Sequence, residues 1–475
     1  MTRLAWTFLR SAGWARASLL AGTTAVATAL LLVALSMLLL PSSPAEALFN
    51  LVAEPGLRYG TAFATAMLVL PLLLMLHQAV RLGTASRERR LAALRLAGAT
   101  PAEVRRIGAV EVGIPVAAGA IAGPLVFTLL RLLLGGGNID PATGQPFDPA
   151  YNSSEAFSGS YANSPLALIP TSVTPAWWQF VTVVAAVAAL GIATGALASR
   201  HLIASPLGVT RRARRPAPRP WGLLVVGAGL GALAVAVSGW LGRAYLVAMV
   251  GGLLVVLGAV ALAPWVAYRS GRRAAGRTSD PATLIAAGHL VSDPRPAGRA
   301  AAAVGAIGII SGGAAVMEAG VFFGDTSEAP IRDPFFLTSF LILGGALLLV
   351  LLVTASTLSV HAAESLVDRR RVLAGLVAAG TPVSVLQDAL RREAMLTSLP
   401  LSLGGLLVGT LGAGIGGLLV GATPALDQRL ALGGLLVCVQ VAVTVSLTWL
   451  AIRLAAWAVR RPLLVATAPA NLRTE

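Results

Sequence analysis

Long apolar runs alternate with short arginine-rich stretches along this chain. The runs lie near 18–40, 61–83, 107–134, 176–199, 221–239, 244–267, 300–323, 335–360, 393–421 and 430–457. A spanning helix needs about 20 apolar residues. In hydrocarbon the backbone must satisfy its own hydrogen bonds, so runs of this length become helices. The pattern predicts an all-α polytopic membrane protein with about ten transmembrane helices. Residues 1–17 mix Arg3, Arg10 and Arg16 with Leu4, Trp6, Phe8 and Leu9, which predicts an interfacial helix. Ala45-Glu46-Ala47 resembles a signal cleavage site. The apolar run before it exceeds the roughly 7–15 residues of a signal core, so it reads as an uncleaved anchor.

The pattern repeats. Arg87 to Glu111 reads RERRLAALRLAGATPAEVRRIGAVE, and Arg369 to Glu393 reads RRRVLAGLVAAGTPVSVLQDALRRE. At one fixed offset Arg87 meets Arg369, Arg89 meets Arg371, Leu91 meets Leu373 and Leu94 meets Leu376. Gly98 then meets Gly380, and Glu111 meets Glu393. Residues 1–16 also resemble 284–299. A repeat at fixed spacing is a stronger signal than either copy alone. Each unit reads as span, outer loop, span, basic segment, span, outer loop, span. Both run in the same sense, so they are parallel repeats. The expected division is 1–203, a linker and two spacer spans over 204–280, and 281–475.

Charge fixes the orientation. With both termini inside, 31 of the 36 basic residues fall in inner segments, leaving Arg58, Arg131, Arg243, Arg332 and Arg429 outside. That asymmetry predicts cytoplasmic termini. It also accounts for the net charge of +16 without a nucleic-acid partner. Only 12% of residues are charged, 56% are hydrophobic, and mean hydropathy is +0.80. Soluble proteins carry about 25% charged residues.

Candidate chemistry is sparse. Every basic residue is arginine, so no Walker A lysine exists to hold ATP phosphates. Cys438 is the one cysteine, and His77, His201, His289 and His361 lack ligand spacing, so no metal site is expected. Glu318 is the one acid well inside a run. A charge there costs roughly 2.5–3.5 kcal/mol, which makes it a candidate for a transport pathway. His77, Gln78, His361 and Glu364 read as interhelical hydrogen bonders. The glycine stripes Gly119/Gly123 and Gly405/Gly409/Gly412/Gly416 suit close helix packing, and the expected place is a seam between the repeats.

The repeated segment predicts a short amphipathic helix. Leu91 and Leu94, or Leu373 and Leu376, would lie on the protein base, with arginines facing a cytoplasmic partner. Gly98 and Gly380 would end it in a left-handed cap. Glu111 and Glu393 are expected near the start of the next span, where the helix dipole favours an anion.

Arginines, Leu-x-x-Leu, Ala-Gly and then a glutamate opening a span: this order resembles the permease domain of the FtsX/MacB family of ABC transporters. Two such units with two extra helices between them resemble the ten-helix, BceB-like permeases. The resemblance implies a membrane subunit without its own ATPase site, hence no enzyme. It implies a separate cytoplasmic ATPase, as a dimer, that holds ATP and Mg. The coupling residues would be Arg87, Arg89, Leu91, Leu94, Gly98 and Glu111, with Arg369, Arg371, Leu373, Leu376, Gly380 and Glu393. The implied setting is a bacterial cell membrane, in contact with lipid. The implied role is export or extraction of an amphipathic peptide, lipid or antibiotic. The alternatives are a mechanical signalling permease that moves no cargo and a proton-coupled secondary transporter using Glu318.

Overall fold

The computed structural model describes residues 14–41, 48–53, 55–81, 98, 100–135, 167–203, 217–238, 244–323, 334–419 and 426–468. Among these, regular structure is helical, apart from one isolated bridge between Gly135 and Ile169. In chain order the helices are α1 (Trp14–Leu38), α2 (Asn50–Ala53), α3 (Pro55–Met67), α4 (Val69–Arg81), α5 (Pro101–Leu134) and α6 (Trp177–Ile203). Then come α7 (Gly222–Val237), α8 (Ala244–Ala275), α9 (Pro281–Ser292), α10 (Pro294–Phe323) and α11 (Pro334–Asp368). The series ends with α12 (Arg370–Ala378), α13 (Val383–Leu419), α14 (Leu426–Ala458) and α15 (Arg460–Ala466).

Each predicted apolar run coincides with helix. Among the described residues eight helical segments are long and apolar enough to cross a membrane, and the apolar parts of α6 and α7 are shorter. Ile121, Leu125, Leu132 and Leu133 stand exposed along α5. Such a stripe has its favourable surroundings in lipid. The chain is a multi-pass, all-α membrane protein.

The second span differs from the single helix expected over 61–83. It breaks at Leu68 into α3 and α4. Pro71 supplies the cause, because it has no N–H to donate and its ring crowds the carbonyl of Met67. Several helices outrun the membrane: α13 has 37 residues, and at about 1.5 Å per residue it is longer than a bilayer core is thick.

The chain divides into two compact units, Met1–Arg211 with Ile331–Gly344, and Arg212–Pro330 with Gly345–Glu475. In the first unit α1 packs along α5, and α5 packs along α6. A side chain at Gly119 would collide with the Thr24 hydroxyl and the Ala21 carbonyl, and one at Gly123 would collide with Thr28. In the second unit α10 packs along α13 with glycines on both sides. Gly308 and Gly312 face the carbonyls of Ser402 and Leu406, while Gly405 and Gly409 face those of Gly305 and Ile309, too close for any Cβ. Both units therefore join their first span to their third through small residues.

That corrects the seam expected between the repeats. Gly119, Gly123, Gly405 and Gly409 pack inside their own repeat, and Gly412 meets Leu230 and Leu233 of α7. In lipid the hydrophobic effect does not draw helices together, so close backbone approach within each bundle is where glycine is most useful. The Gly416 side of α13 lies outside the described side chains.

Two arginines, Arg58 and Arg131, hold the first unit together. Arg58 is buried, 4% exposed. Its Nε donates to Val52 O at 2.8 Å, Nη1 to Leu40 O and Pro41 O at 2.7 and 2.9 Å, and Nη2 to Ala53 O at 2.6 Å. One guanidinium thus satisfies the carbonyls that α1 and α2 leave open at their C-terminal ends. Arg131 donates to the carbonyls of Pro170, Thr171 and Val173. Phe49 N–H donates to Ala167 O at 2.9 Å. The segment 167–173 is therefore pinned against the end of α5 and the start of α2.

Candidate functional site

Each repeated segment has one glycine in the left-handed region. Gly98 has φ +94° and Gly380 has φ +92°, the only positive values among the described residues. Only glycine adopts this region without strain. At Gly380 the cap is complete. Gly380 N–H donates to Val377 O and Thr381 N–H reaches back to Leu376 O, both at 2.9 Å. This double bond pattern closes the end of α12 and reverses the chain. Pro382 follows and prevents continuation.

In the first repeat the next helix is started by Thr100. Its hydroxyl accepts from Glu103 N–H at 3.3 Å, and Glu103 Oε2 accepts from Thr100 N–H at 2.8 Å. That reciprocal capping box fixes the N-terminus of α5. The Thr100 N–H, and next its hydroxyl, hold the Glu103 carboxyl below the usual range. The Thr-Pro-x-Glu spacing is a sequence signal for this cap. Pairing the repeats hides it, because Val385 stands opposite Glu103.

In the second repeat α12 lies on the base of the bundle. Leu373 and Ala374 are buried and Leu376 is half-buried. Leu373 and Leu376 join Leu366, Leu386, Val459 and Leu463 in one apolar cluster. The stripe expected from Leu373 and Leu376 is therefore covered, by α15 as well as by the spans. Arg371, Val372, Ala378, Ala379 and Gly380 face outward.

Arg369 turns the other way. Its Nη1 stands 3.9 Å from Glu393 Oε2. The same oxygen lies 3.3 Å from His289 Nδ1, on α9. Glu393 is 7% exposed, and with His361, Ala297 and Thr397 it lines a cavity of about 30 Å³. Its neighbour Arg392 donates to Asp280 Oδ2 at 2.5 Å and to the Thr283 hydroxyl. Two consecutive residues of α13 thus grip α9 at both of its ends. Asp280 also caps α9, accepting from Thr283 N–H at 2.7 Å. The Thr283 backbone, then its hydroxyl, and then Arg392 hold the Asp280 carboxyl below the usual range.

The glutamates differ from expectation in one respect. Glu111 and Glu393 are both buried. Yet α5 begins at Pro101 and α13 at Val383, so each glutamate sits about three turns inside its helix. The dipole acts within the first turn only, where Glu103 stands instead. At Glu393 the negative charge is held by side chains, Arg369 and His289.

The other candidate residues are placed as follows. Arg87, Arg89, Leu91 and Leu94 lie outside the described residues, as does the 1–13 segment. Glu318 lies on α10, and its side chain is outside the described set. Gln78 is buried in α4. Among the described residues no three His, Cys, Asp or Glu side chains form a metal site.

Residues 61–207 match the family model of the FtsX-like permease C-terminal domain. The first repeat is therefore similar to an FtsX-like permease domain. The match runs from the second span through the Gly98 elbow to the end of α6. The matched stretch is similar to the membrane permease of an ABC-type system, in the FtsX/MacB family. Permeases of this family generally work with a cytoplasmic ABC ATPase. The second unit repeats the spacing from left-handed glycine to buried glutamate and the first-to-third span packing. No curated protein matches the chain.

Proposed function

We propose that the Gly98 and Gly380 elbows are the points at which a separate ATPase drives this permease. ATP and Mg bind on that partner, a dimer, with one elbow for each protomer. The observation that carries this reading is the second elbow, where α12 is seated by Leu373 and Leu376 and leaves Arg371, Val372, Ala378 and Ala379 exposed.

The contacts around the elbow give it a way to move the spans. A displacement of α12 pulls on Glu393 through Arg369, and Glu393 with Arg392 holds α9. α9 runs through Asp293 into α10, and α10 is locked to α13 by interleaved glycines. The base of the second unit would then shift as one piece. The elbows face the cytoplasm of a bacterial cell, with both termini on that side, in accord with the arginine asymmetry. The cargo is amphipathic, a peptide, lipid or antibiotic, exported or extracted from the membrane.

The test is co-expression with the candidate ATPase from the same cell. Wild type should retain the ATPase through purification and support vanadate-sensitive hydrolysis. The double variant Gly98→Pro, Gly380→Pro should lose one or both, because proline fixes φ near −65° where the elbows need +94° and +92°. An ATPase that binds and hydrolyses equally well with the double variant removes the elbows from the coupling path.

A further inference from the structure

Beside the α12 elbow, the second unit holds a cavity of about 180 Å³ between α11, α13, α14 and α15. Leu358, Ala362 and Ile452 wall it on one side, and Asp388, Arg391 and Arg460 line the other. The Arg391 Nε is buried without a hydrogen-bond partner. Among the described residues its guanidinium has no ion pair either. Asp388 lines the same cavity, yet no carboxylate comes within ion-pair distance of Arg391 or Arg460 among the described residues. A buried donor with no acceptor is costly, and a guanidinium is shaped to take a phosphate in two parallel bonds. Two cations against one carboxylate leave the cavity net positive.

The position of the cavity favours one kind of anion. Trp457 on α14 and Leu464 and Val465 on α15 are exposed beside it. Aromatic and apolar residues exposed next to arginines mark a membrane–water boundary. An apolar wall below and arginines above match an amphiphile with an anionic head. Nor is the feature part of what the repeats share, since Ala109 stands where the second repeat has Arg391.

We infer that this cavity binds the phosphate of an anionic phospholipid, drawn from the leaflet at the arginine-rich end of the protein, between Arg391 and Arg460. The site needs no nucleotide and no ATPase, so it stands or falls independently of the coupling proposal.

The test uses the full chain, delipidated in neutral detergent and titrated with lipid while its thermal midpoint is followed. Phosphatidylglycerol should raise the midpoint of wild type. Phosphatidylcholine and soluble glycerophosphate should not. The variant Arg391→Gln, Arg460→Gln should need about tenfold more phosphatidylglycerol, equivalent to losing about 1.4 kcal/mol of binding. Asp388→Asn removes the one opposing charge and should bind phosphatidylglycerol more tightly. It also decides the question if the double variant does not fold. Equal responses to both lipids, a response unchanged in the double variant, or no gain in Asp388→Asn would overturn the proposal. A full response to glycerophosphate alone would make this a free-anion site and overturn the lipid assignment.

Discussion

Glu393 Oε2 lies 3.3 Å from His289 Nδ1, joining α13 to the short helix α9 inside an apolar base. The same oxygen faces Arg369 at the start of α12. One carboxylate therefore ties together the entry helix, the elbow and the third span of the second repeat. A buried charge is tolerated only when its partners are in place.

Removing that carboxylate should be felt at all three elements. Glu393→Leu leaves the half-buried Arg369 and His289 facing an apolar group, and the loss of their shared acceptor should cost about 1 kcal/mol. Glu393→Gln keeps an acceptor and should cost less. Thermal unfolding in detergent should rank wild type above Gln and Gln above Leu. Equal midpoints would mean the cluster holds nothing.

The elbows make a backbone prediction. Among the described residues, chain neighbours aside, no atom lies within 4 Å of a Cβ placed at Gly98 or Gly380. Alanine therefore meets no clash, and its cost is conformational alone, about 1–2 kcal/mol for a left-handed L-residue. Asn tolerates this region better. Gly380→Asn should be milder than Gly380→Ala in a thermal melt, and the reverse order would argue against the cap.

Gly308 and Gly404 form a matched pair on touching helices. A Cβ at Gly308 meets the Ser402 carbonyl, whereas one at Gly404 meets nothing within 4 Å. Gly308→Ala must push α10 off α13 and should sharply reduce the yield of monodisperse protein. Gly404→Ala should be neutral or stabilising, by up to about 1 kcal/mol of helix propensity. Size-exclusion profiles of the two variants compare them directly.

Asp280 sets an acid limit on the α9 cap. Its folded pKa is depressed, chiefly by the Thr283 N–H. The stabilisation is therefore complete above the ordinary carboxylate value of about 3.9. It is lost as pH falls through the lower folded value. Asp280→Asn should flatten that part of the curve. Thermal midpoints measured from about pH 6 downward should converge for wild type and variant as the carboxyl protonates.

What was legible in the sequence followed from strong physical constraints. Lipid permits only self-satisfied backbones, so the apolar runs gave the helices, and the offset between Gly98 and Gly380 gave the repeat. The left-handed cap could be read because few residues other than glycine serve there. Relations between distant side chains were not legible. Nothing in the spacing placed Arg58 under four carbonyls or turned Arg369 inward onto Glu393 rather than outward. The glycine stripes announced close packing but not the partner, since a small-residue face fits any neighbour of the right shape. The dipole reading of Glu111 and Glu393 failed because apolar periodicity does not mark where a helix begins below the membrane, whereas the Thr100–Glu103 box does.

The most direct measurement is a cross-link from the elbow. Cys438, the one native cysteine, is replaced by serine, and the exposed Ala379 by cysteine. The purified complex with its ATPase is then treated with a short thiol-to-amine cross-linker, with and without ATP and vanadate. A permease–ATPase adduct whose yield changes with nucleotide is the predicted result. An ATPase that co-purifies and hydrolyses ATP, yet forms no adduct from position 379 in any nucleotide state, would contradict the elbow as the point of drive.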